Sequence, residues 1–296
     1  MFAVNNLGMQ FGGRKLFSGL TLTFQKGECY GIIGANGAGK STLLRILSGD
    51  LEPTEGAVVL DNNERLSVLK QNHDAYNEET VRRTVLLGNP RLIEVMEEKD
   101  ALYSKPDFSE EDGIKAGELE GEFADLGGWD TDSQIETLLS SLGVPSEDYD
   151  VPMKGLDEKI KVKVLLAQAL FGNPDYLLMD EPTNGLDPMA ADWLEEYLST
   201  YENTVLVVSH DRYFLNKVCT RMLDVDYGKI TPFIGNYDFW YESSQLALKQ
   251  SREGNAKKEE RIKELKDFIA RFAANAAKSR QATSRKKMLD RITLDD

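Results

Sequence analysis

Eight residues near the N-terminus have the types and spacing to hold a polyphosphate. Gly34-Ala35-Asn36-Gly37-Ala38-Gly39-Lys40-Ser41 puts glycine at its first, fourth and sixth positions, lysine at its seventh and a hydroxyl at its eighth, with Thr42 following. The glycines let the backbone wrap until its N–H groups face inward, and a helix opening at the end of the loop adds a dipole that favours anions. Lys40 can then reach between β- and γ-phosphates, and the Ser41 hydroxyl can take one position around Mg²⁺. Far along the chain, Tyr176-Leu177-Leu178-Met179 is an apolar run that ends in two carboxylates, Asp180 and Glu181. At the end of such a strand Asp180 stands beside the metal, and Glu181 points toward the γ-phosphate, where a base can orient water. An Asp-Glu pair after a strand is common; joined to the glycine loop it becomes a hydrolytic constellation.

These groups need elements to place them. Phe2-Ala3-Val4, Leu20–Phe24, Tyr30–Ile33 and Ala57–Leu60 read as strands, separated by Gly-Gly, Lys-Gly and Glu-Gly, and Ser41–Leu47 reads as a helix. From about Glu78 to Leu142 the texture changes to acidic, Leu/Glu/Ala-rich helix, broken at Asn89-Pro90 and Lys105-Pro106 and restarted by the capping-type residue Ser109. A helix over Asp157–Leu170, a strand over Tyr176–Met179, a helix over Met189–Tyr201 and a strand over Thr204–Val208 then alternate. Alternation of this kind predicts an α/β layer with a mainly parallel sheet, and the helical block a separate inserted subdomain. After Tyr241 there is no proline, and Ile262, Leu265, Ile269 and Phe272 follow a 3-4-3 spacing, the seam of a helix packed on one partner. A break near Asn275–Ser279 and a second helical run around Arg285–Ile292 predict a helical hairpin.

Composition bounds the classes available. The 296 residues are 41% hydrophobic and 29% charged, as in a soluble globular chain rather than a collagenous or disordered one. No run approaches the roughly 20 apolar residues of a bilayer span, and the first residues lack the basic, apolar and small-residue order of an export signal. Two cysteines, Cys29 and Cys219, cannot make a disulfide framework and read as buried apolar residues in a reducing cytoplasm. The net charge of −15 is unevenly spread: residues 241–296 carry 14 Lys/Arg against 9 Asp/Glu, leaving 21 of the 35 basic and 41 of the 50 acidic residues to the rest. An acidic body carries a basic tail, which marks a change of partner along the chain.

Over its first 240 residues the chain resembles the ATP-binding cassette (ABC) superfamily. Asp180-Glu181-Pro182-Thr183-Asn184-Gly185-Leu186-Asp187 looks like the family's Walker B motif and D-loop, and Ser209-His210-Asp211 like its switch histidine. Gln71 lies where the family keeps its Q-loop glutamine, and Phe11 where an aromatic residue, most often Tyr, stacks on adenine. The resemblance implies a P-loop NTPase of ABC type with a mainly parallel sheet core, an antiparallel β subdomain and an inserted helical subdomain, followed by the C-terminal helical hairpin. It implies ATP and Mg²⁺ as cofactors. Phe11, Gly34, Asn36, Gly37, Ala38, Gly39, Lys40, Ser41, Thr42 and Asp187 would bind nucleotide. Ser41, Gln71 and Asp180 would hold the metal, and Glu181, His210 and Gln71 would act in catalysis. The other histidine, His73, sits in a polar stretch and reads as solvent exposed.

The match fails at one motif. ABC enzymes complete each ATP site with a Leu-Ser-Gly-Gly-Gln signature from a second cassette, and here Leu156-Asp157-Glu158-Lys159-Ile160 takes its place. The serine and both glycines are missing, and two carboxylates would face a triphosphate. The isolated chain is therefore expected to be a weak ATPase. The tail resembles the ABC-F family, in particular its YbiT-like subgroup: soluble proteins with two cassettes joined by a helical linker that enters the tRNA exit region of the ribosome. One departure is Gly185, where ABC-F proteins usually carry His. On this resemblance residues 1–240 are an ATP-binding domain with a helical insertion at about 78–172, and 241–296 a basic linker. The partners implied are a second cassette, in one longer chain or as a homodimer, and the ribosome and tRNA, with no membrane. Arg271, Lys278, Arg280, Arg285, Lys286, Lys287 and Arg291 face only Asp290 across their span, an electrostatic footprint for RNA phosphate. The rival reading is the ATP-binding subunit of a membrane transporter, whose cassettes usually keep the signature and lack a basic hairpin.

Overall fold

A computed structural model describes residues 1–226, 228–272 and 279–292. The chain opens with strands β1 (Phe2–Phe11), β2 (Arg14–Phe24) and β3 (Cys29–Gly34), helix α1 (Lys40–Leu47), and strands β4 (Glu55–Leu60) and β5 (Leu66–Val68). β1 pairs antiparallel with both β2 and β4 in a three-stranded sheet. β1 and β2 run well beyond the expected Phe2–Val4 and Leu20–Phe24. The polar pair Asn5-Asn6 hides the continuation, because Asn6 takes φ 48° and the β1–β2 register shifts between Val4 and Leu7.

The helical insertion comprises α2 (Val81–Leu86), α3 (Pro90–Tyr103), α4 (Glu110–Asp125), α5 (Thr131–Ser141) and α6 (Glu158–Leu170). Its starts follow local chemistry. Pro90 occupies the first turn of α3, where a missing N–H costs nothing. Ser109 and Asp112 form a reciprocal box at α4: the Asp112 amide donates to Ser109 Oγ at 3.1 Å, and the Ser109 amide to Asp112 Oδ2 at 3.0 Å. Leu92, Val95, Leu119 and Phe123 are buried in this part. Arg65 ties it to the sheet, donating from Nη1 to the Gly88 carbonyl and from Nη2 to that of Phe171.

The chain then returns through β6 (Tyr176–Asp180), α7 (Pro188–Ser199), β7 (Thr204–Val208), α8 (Arg212–Val218), β8 (Arg221–Asp226) and β9 (Lys229–Ile234). A six-stranded sheet runs in the order β5-β6-β7-β3-β8-β9, parallel throughout except for the β8–β9 hairpin. Ile32, Leu178, Leu206 and Leu223 are fully buried, each contributing roughly 1.5–3 kcal/mol of apolar burial. The parallel register sets Ile32 and Asp180 both beside Val208, so β6 and β7 finish together and β3 runs two residues further. Ligands of open α/β sheets bind outside such carboxyl ends.

By its contacts the chain divides into Met1–Tyr237 and Asp238–Asp296. The second unit holds nearly all of α9 (Tyr237–Phe272) together with α10 (Ser279–Leu289). Leu265 is buried and Ile262 and Ile269 half-buried, and the Arg285 guanidinium stands 5.4 Å from the centre of the Phe268 ring. α9 starts four residues before the expected Tyr241. Residues 275–278 of the expected break, Lys278 included, lie outside the described residues. Among the described residues no helix is long and apolar enough to cross a membrane.

Candidate functional site

The glycine loop follows β3 because nothing else fits there. Gly34 has φ 150°, and a Cβ on it would come within 2.4 Å of the Val225 carbonyl oxygen. Gly39, at φ 114°, opens α1 without any side-chain cap, and the first turn of α1 carries no acidic residue. The helix therefore presents bare N–H groups and an uncompensated dipole. Lys40 is only 7% exposed, and its Nζ donates to the carbonyls of Gly34 at 2.8 Å and Ala35 at 3.0 Å. Among the described residues no carboxylate pairs with it. A buried cation held by carbonyl dipoles alone, at an open helix end, is a receptor for an anion.

The opposite wall is built by β6 and β7. Beyond Asp180, Glu181 takes φ 49°, a left-handed conformation costly for a residue with a Cβ and typical of functional turns. Its amide donates to the Val208 carbonyl at 2.8 Å, which fixes the turn against β7. Glu181 Oε2 accepts from the His210 amide at 3.3 Å, while Oε1 lies 3.4 Å from His210 Nε2. Oε1 is buried and has no hydrogen-bond partner among the described residues. The His210 turn is held in place by Ser209 Oγ, which accepts from the Asp211 amide, and by Asp211, which caps α8.

Between the two walls lies a cleft of about 460 Å³. Asn36, Gly37, Gly39, Lys40, Ser41 and Thr42 line one side. Gln71, Asp180, Glu181 and His210 line the other with Asn184, and Leu16 lies against Gly39 on the loop side; neither Asn184 nor Leu16 was singled out in the sequence. Asn184 could have been found from its place between Glu181 and Asp187; Leu16 carries no signal. Gln71 and Asp180 also border smaller cavities of about 320 and 240 Å³ on either side. Gly34 and Ala38 shape the loop without lining the cleft. Phe11, half exposed at the end of β1, and Asp187 are outside it.

Asp187 instead caps α7, accepting from the Ala190 amide at 3.0 Å, and its Oδ2 stands 2.5 Å from Lys163 Nζ. The Lys163 ammonium holds the Asp187 carboxyl below its ordinary value. Other charges near α6 are engaged within the chain. His73 is half-buried rather than free in solvent, with Nδ1 2.9 Å from Glu158 Oε2. At the signature position Asp157 accepts from the Lys159 amide at 2.8 Å and so caps α6 itself.

Among the described residues no three His, Cys, Asp or Glu side chains form a metal cage. A Mg²⁺ that arrives with a polyphosphate takes most of its ligands from phosphate and water, and Ser41, Gln71 and Asp180 on one cleft suit that need.

A family model described as "ABC transporter" matches residues 17–184, and a second model of the same description matches 223–296. The chain belongs to the ATP-binding cassette family. Its cassette is 61% identical over 296 residues to the "Uncharacterized ABC transporter ATP-binding protein YkpA" of Bacillus subtilis (strain 168), covering all of this chain and 55% of the relative. It is 46% identical over 296 residues to the "Probable ATP-binding protein YbiT" of Escherichia coli O157:H7, covering all of this chain and 56% of the relative. To the "Energy-dependent translational throttle protein EttA" of Mycobacterium tuberculosis (strain CDC 1551 / Oshkosh) it is 31% identical over 290 residues, 97% of this chain and 51% of the relative. These relatives are ATP-binding proteins of ABC-F type, and the cassette spans about half the length of each. In solved structures the same fold recurs in the "ATP binding subunit of ABC transporter", with TM-score 0.62 and 20% identity over 83% of this chain and 94% of that one. A dimeric cassette, MJ0796 bound to ADP and Pi, matches with TM-score 0.57 and 20% identity over 79% of this chain and 98% of that one.

Proposed function

We propose that this cassette binds and hydrolyses Mg-ATP as the first half of a cytoplasmic ABC-F protein that acts on the ribosome, with residues 1–240 as the ATP-binding domain and 241–296 as the basic linker. The observation that carries the hydrolytic reading is the pairing across one cleft: among the described residues, Lys40 without a carboxylate partner on one wall and the orphan Oε1 of Glu181 on the other.

In this reading the loop amides from Asn36 to Thr42 cradle the β- and γ-phosphates, and Lys40 exchanges its two carbonyl acceptors for phosphate oxygens. Phe11 stacks on the adenine. Ser41, Gln71 and Asp180 hold Mg²⁺, which when bound neutralises charge on the β/γ-phosphates. The free Oε1 of Glu181 accepts a proton of the attacking water, whose oxygen bonds to the γ-phosphorus as the bond to the β–γ bridging oxygen breaks and ADP leaves, while Gln71 helps hold that water. His210, anchored to Glu181 through its own amide, contacts the γ-phosphate. Asp187 meets the nucleotide site of a second cassette. Because Asp157 and Glu158 replace serine and glycine, α6 is a poor donor to a partner's triphosphate, which makes the isolated half a weak ATPase.

Support for a ribosomal partner is of a different kind. The tail brings 14 Lys/Arg against 9 Asp/Glu on a chain that is otherwise acidic, and α9 extends over about 54 Å. A long helix carrying basic charge suits contact with RNA phosphate by charge and shape rather than base reading. The printed name of EttA, at 31% identity, speaks of translation.

Two variants of the whole protein test the two parts. Glu181→Gln retains ATP affinity while turnover drops at least about a hundredfold, measured by phosphate release; persistent turnover removes Glu181 as the base. Reversing Lys286 and Lys287 to Glu weakens co-sedimentation with ribosomes and flattens its salt dependence by about 0.7–0.9 per lost phosphate contact. Unchanged binding and slope would take the RNA interface away from α10.

A further inference from the structure

Two of the charges in the first two turns of α6, Lys161 and Lys163, are buried. Lys161 is 6% exposed at its side chain, and its Nζ donates to Asp74 Oδ1 at 2.9 Å and Asn77 Oδ1 at 3.3 Å. Glu158, one turn earlier on the same face, lies 3.5 Å from Lys161 Nζ and 2.9 Å from His73 Nδ1. Two residues beyond Lys161, on another face of the helix, Lys163 is 11% exposed and meets Asp187 at 2.5 Å. The helix end is closed by Asp157, whose carboxylate accepts from the Lys159 amide. Each loop that these side chains reach has one backbone tie to a neighbour, Lys154 N to the Asn77 carbonyl at 3.0 Å and Glu181 N to the Val208 carbonyl at 2.8 Å, and is otherwise held by turn bonds of its own. Within residues 71–77 the backbone makes long turn bonds, Ala75 N to Asn72 O and Asn77 N to Asp74 O, both 3.4 Å. Within 181–187 it makes Asn184 N to Glu181 O at 3.1 Å and Leu186 N to Thr183 O at 3.2 Å. One loop begins with Gln71 and the other with Glu181, both on the wall of the cleft.

We propose that Lys161 and Lys163 are positioning residues that hold the Gln71 and Glu181 loops to α6 within one chain, so that the helix running on from the signature position sets the far wall of its own cleft. The proposal rests on the reading of Gln71 and Glu181 as the groups that act on the γ-phosphate. It adds to the idea of a merely defective signature: the helix that follows the altered Leu156–Ile160 segment carries two lysines that act as ties inside the cassette. Two side chains of a type usually found on the surface are thus buried with their ammonium groups on loop carboxylates, one on each of two helix faces.

The test uses the whole protein with Lys161→Met and Lys163→Met, which keep side-chain length and remove charge, and with the Arg variants, which restore it. Hydrogen exchange without nucleotide reads the ties directly. Lys163→Met speeds exchange of the Asn184 and Leu186 amides at least about fivefold, and Lys161→Met does the same at Asp74 and Asn77, with α1 unaffected and Arg restoring protection. In steady-state turnover each Met variant lowers kcat by at least about fivefold while KM stays within about twofold, and Arg recovers kcat. Should a Met variant fail to fold, Asp74→Asn removes the exposed partner of Lys161 and reads the same amides. Uniform acceleration across the chain, or unchanged exchange at both loops, overturns the proposal. A wild-type protein that binds no ATP would instead overturn the functional reading, while the exchange pattern still decides the ties.

Discussion

Two helix starts in this cassette have opposite fates. α1 begins at Gly39 with no side-chain cap and no acid in its first turn; α6 begins at Asp157, whose carboxylate caps it, with Glu158 next. The backbone device is the same, four unpaired N–H groups at the positive end of a dipole. What differs is whether the chain fills that end itself. The open end faces a cleft with a buried lysine that has no carboxylate partner among the described residues; the closed end turns Glu158 and Lys161 to a neighbouring loop. An anion site is thus made less by adding donors than by withholding the side chains that would satisfy them.

The comparison breaks most visibly if an acid is placed at the open end. Ser41→Asp puts a carboxylate in the first turn of α1, where unit charges about 4 Å apart interact by roughly 4 kcal/mol near a surface. Affinity for a fluorescent ATP analogue should fall at least about a hundredfold, and a loss under about threefold would mean that phosphate sits elsewhere. At the closed end, Asp157→Ala removes a cap worth about 1 kcal/mol. It should lower the melting temperature by about 2–4 °C and leave nucleotide affinity unchanged; an unaltered melt would show that the cap does not hold α6. The smallest effect belongs to α4, a third start closed by carboxylates. Lys105 and the Ser109 amide hold the Asp112 carboxyl at about 2, below its ordinary 3.8. A depressed value means that the contribution is present above pH 3.8 and lost as pH falls through about 2. The difference in melting temperature between wild type and Asp112→Ala should therefore be constant above that range and vanish toward pH 2.

The parts legible in the sequence are those where composition and geometry coincide. Gly34 to Ser41 needs glycine for the turn, and the apolar runs before Asp180 and Ser209 need both faces buried, so loop, strands and sheet type could be read together. Ser109 announces α4 because a capping side chain acts on its own backbone. The long first strands were hidden because Asn6 bulges, and the β8–β9 hairpin because its burial alternates with polar residues such as Arg221, Asp224 and Asp226. The ties of α6 were hidden for another reason. Lysines are mostly exposed, and nothing in the spacing of Lys161 and Lys163 tells that their partners, Asp74 and Asp187, approach from loops far along the chain. Local chemistry is written in neighbouring residues; charge pairing across the fold is written only in its topology.

The two carbonyls that grip Lys40 have a kinetic consequence. With its ammonium already engaged, the glycine loop keeps its curvature before any guest arrives, and capture is a swap of acceptors rather than an ordering of chain. The entropic toll of shaping the receptor is settled at folding, so nucleotide arrival should run at the pace of diffusive encounter rather than wait for a rearrangement of the loop.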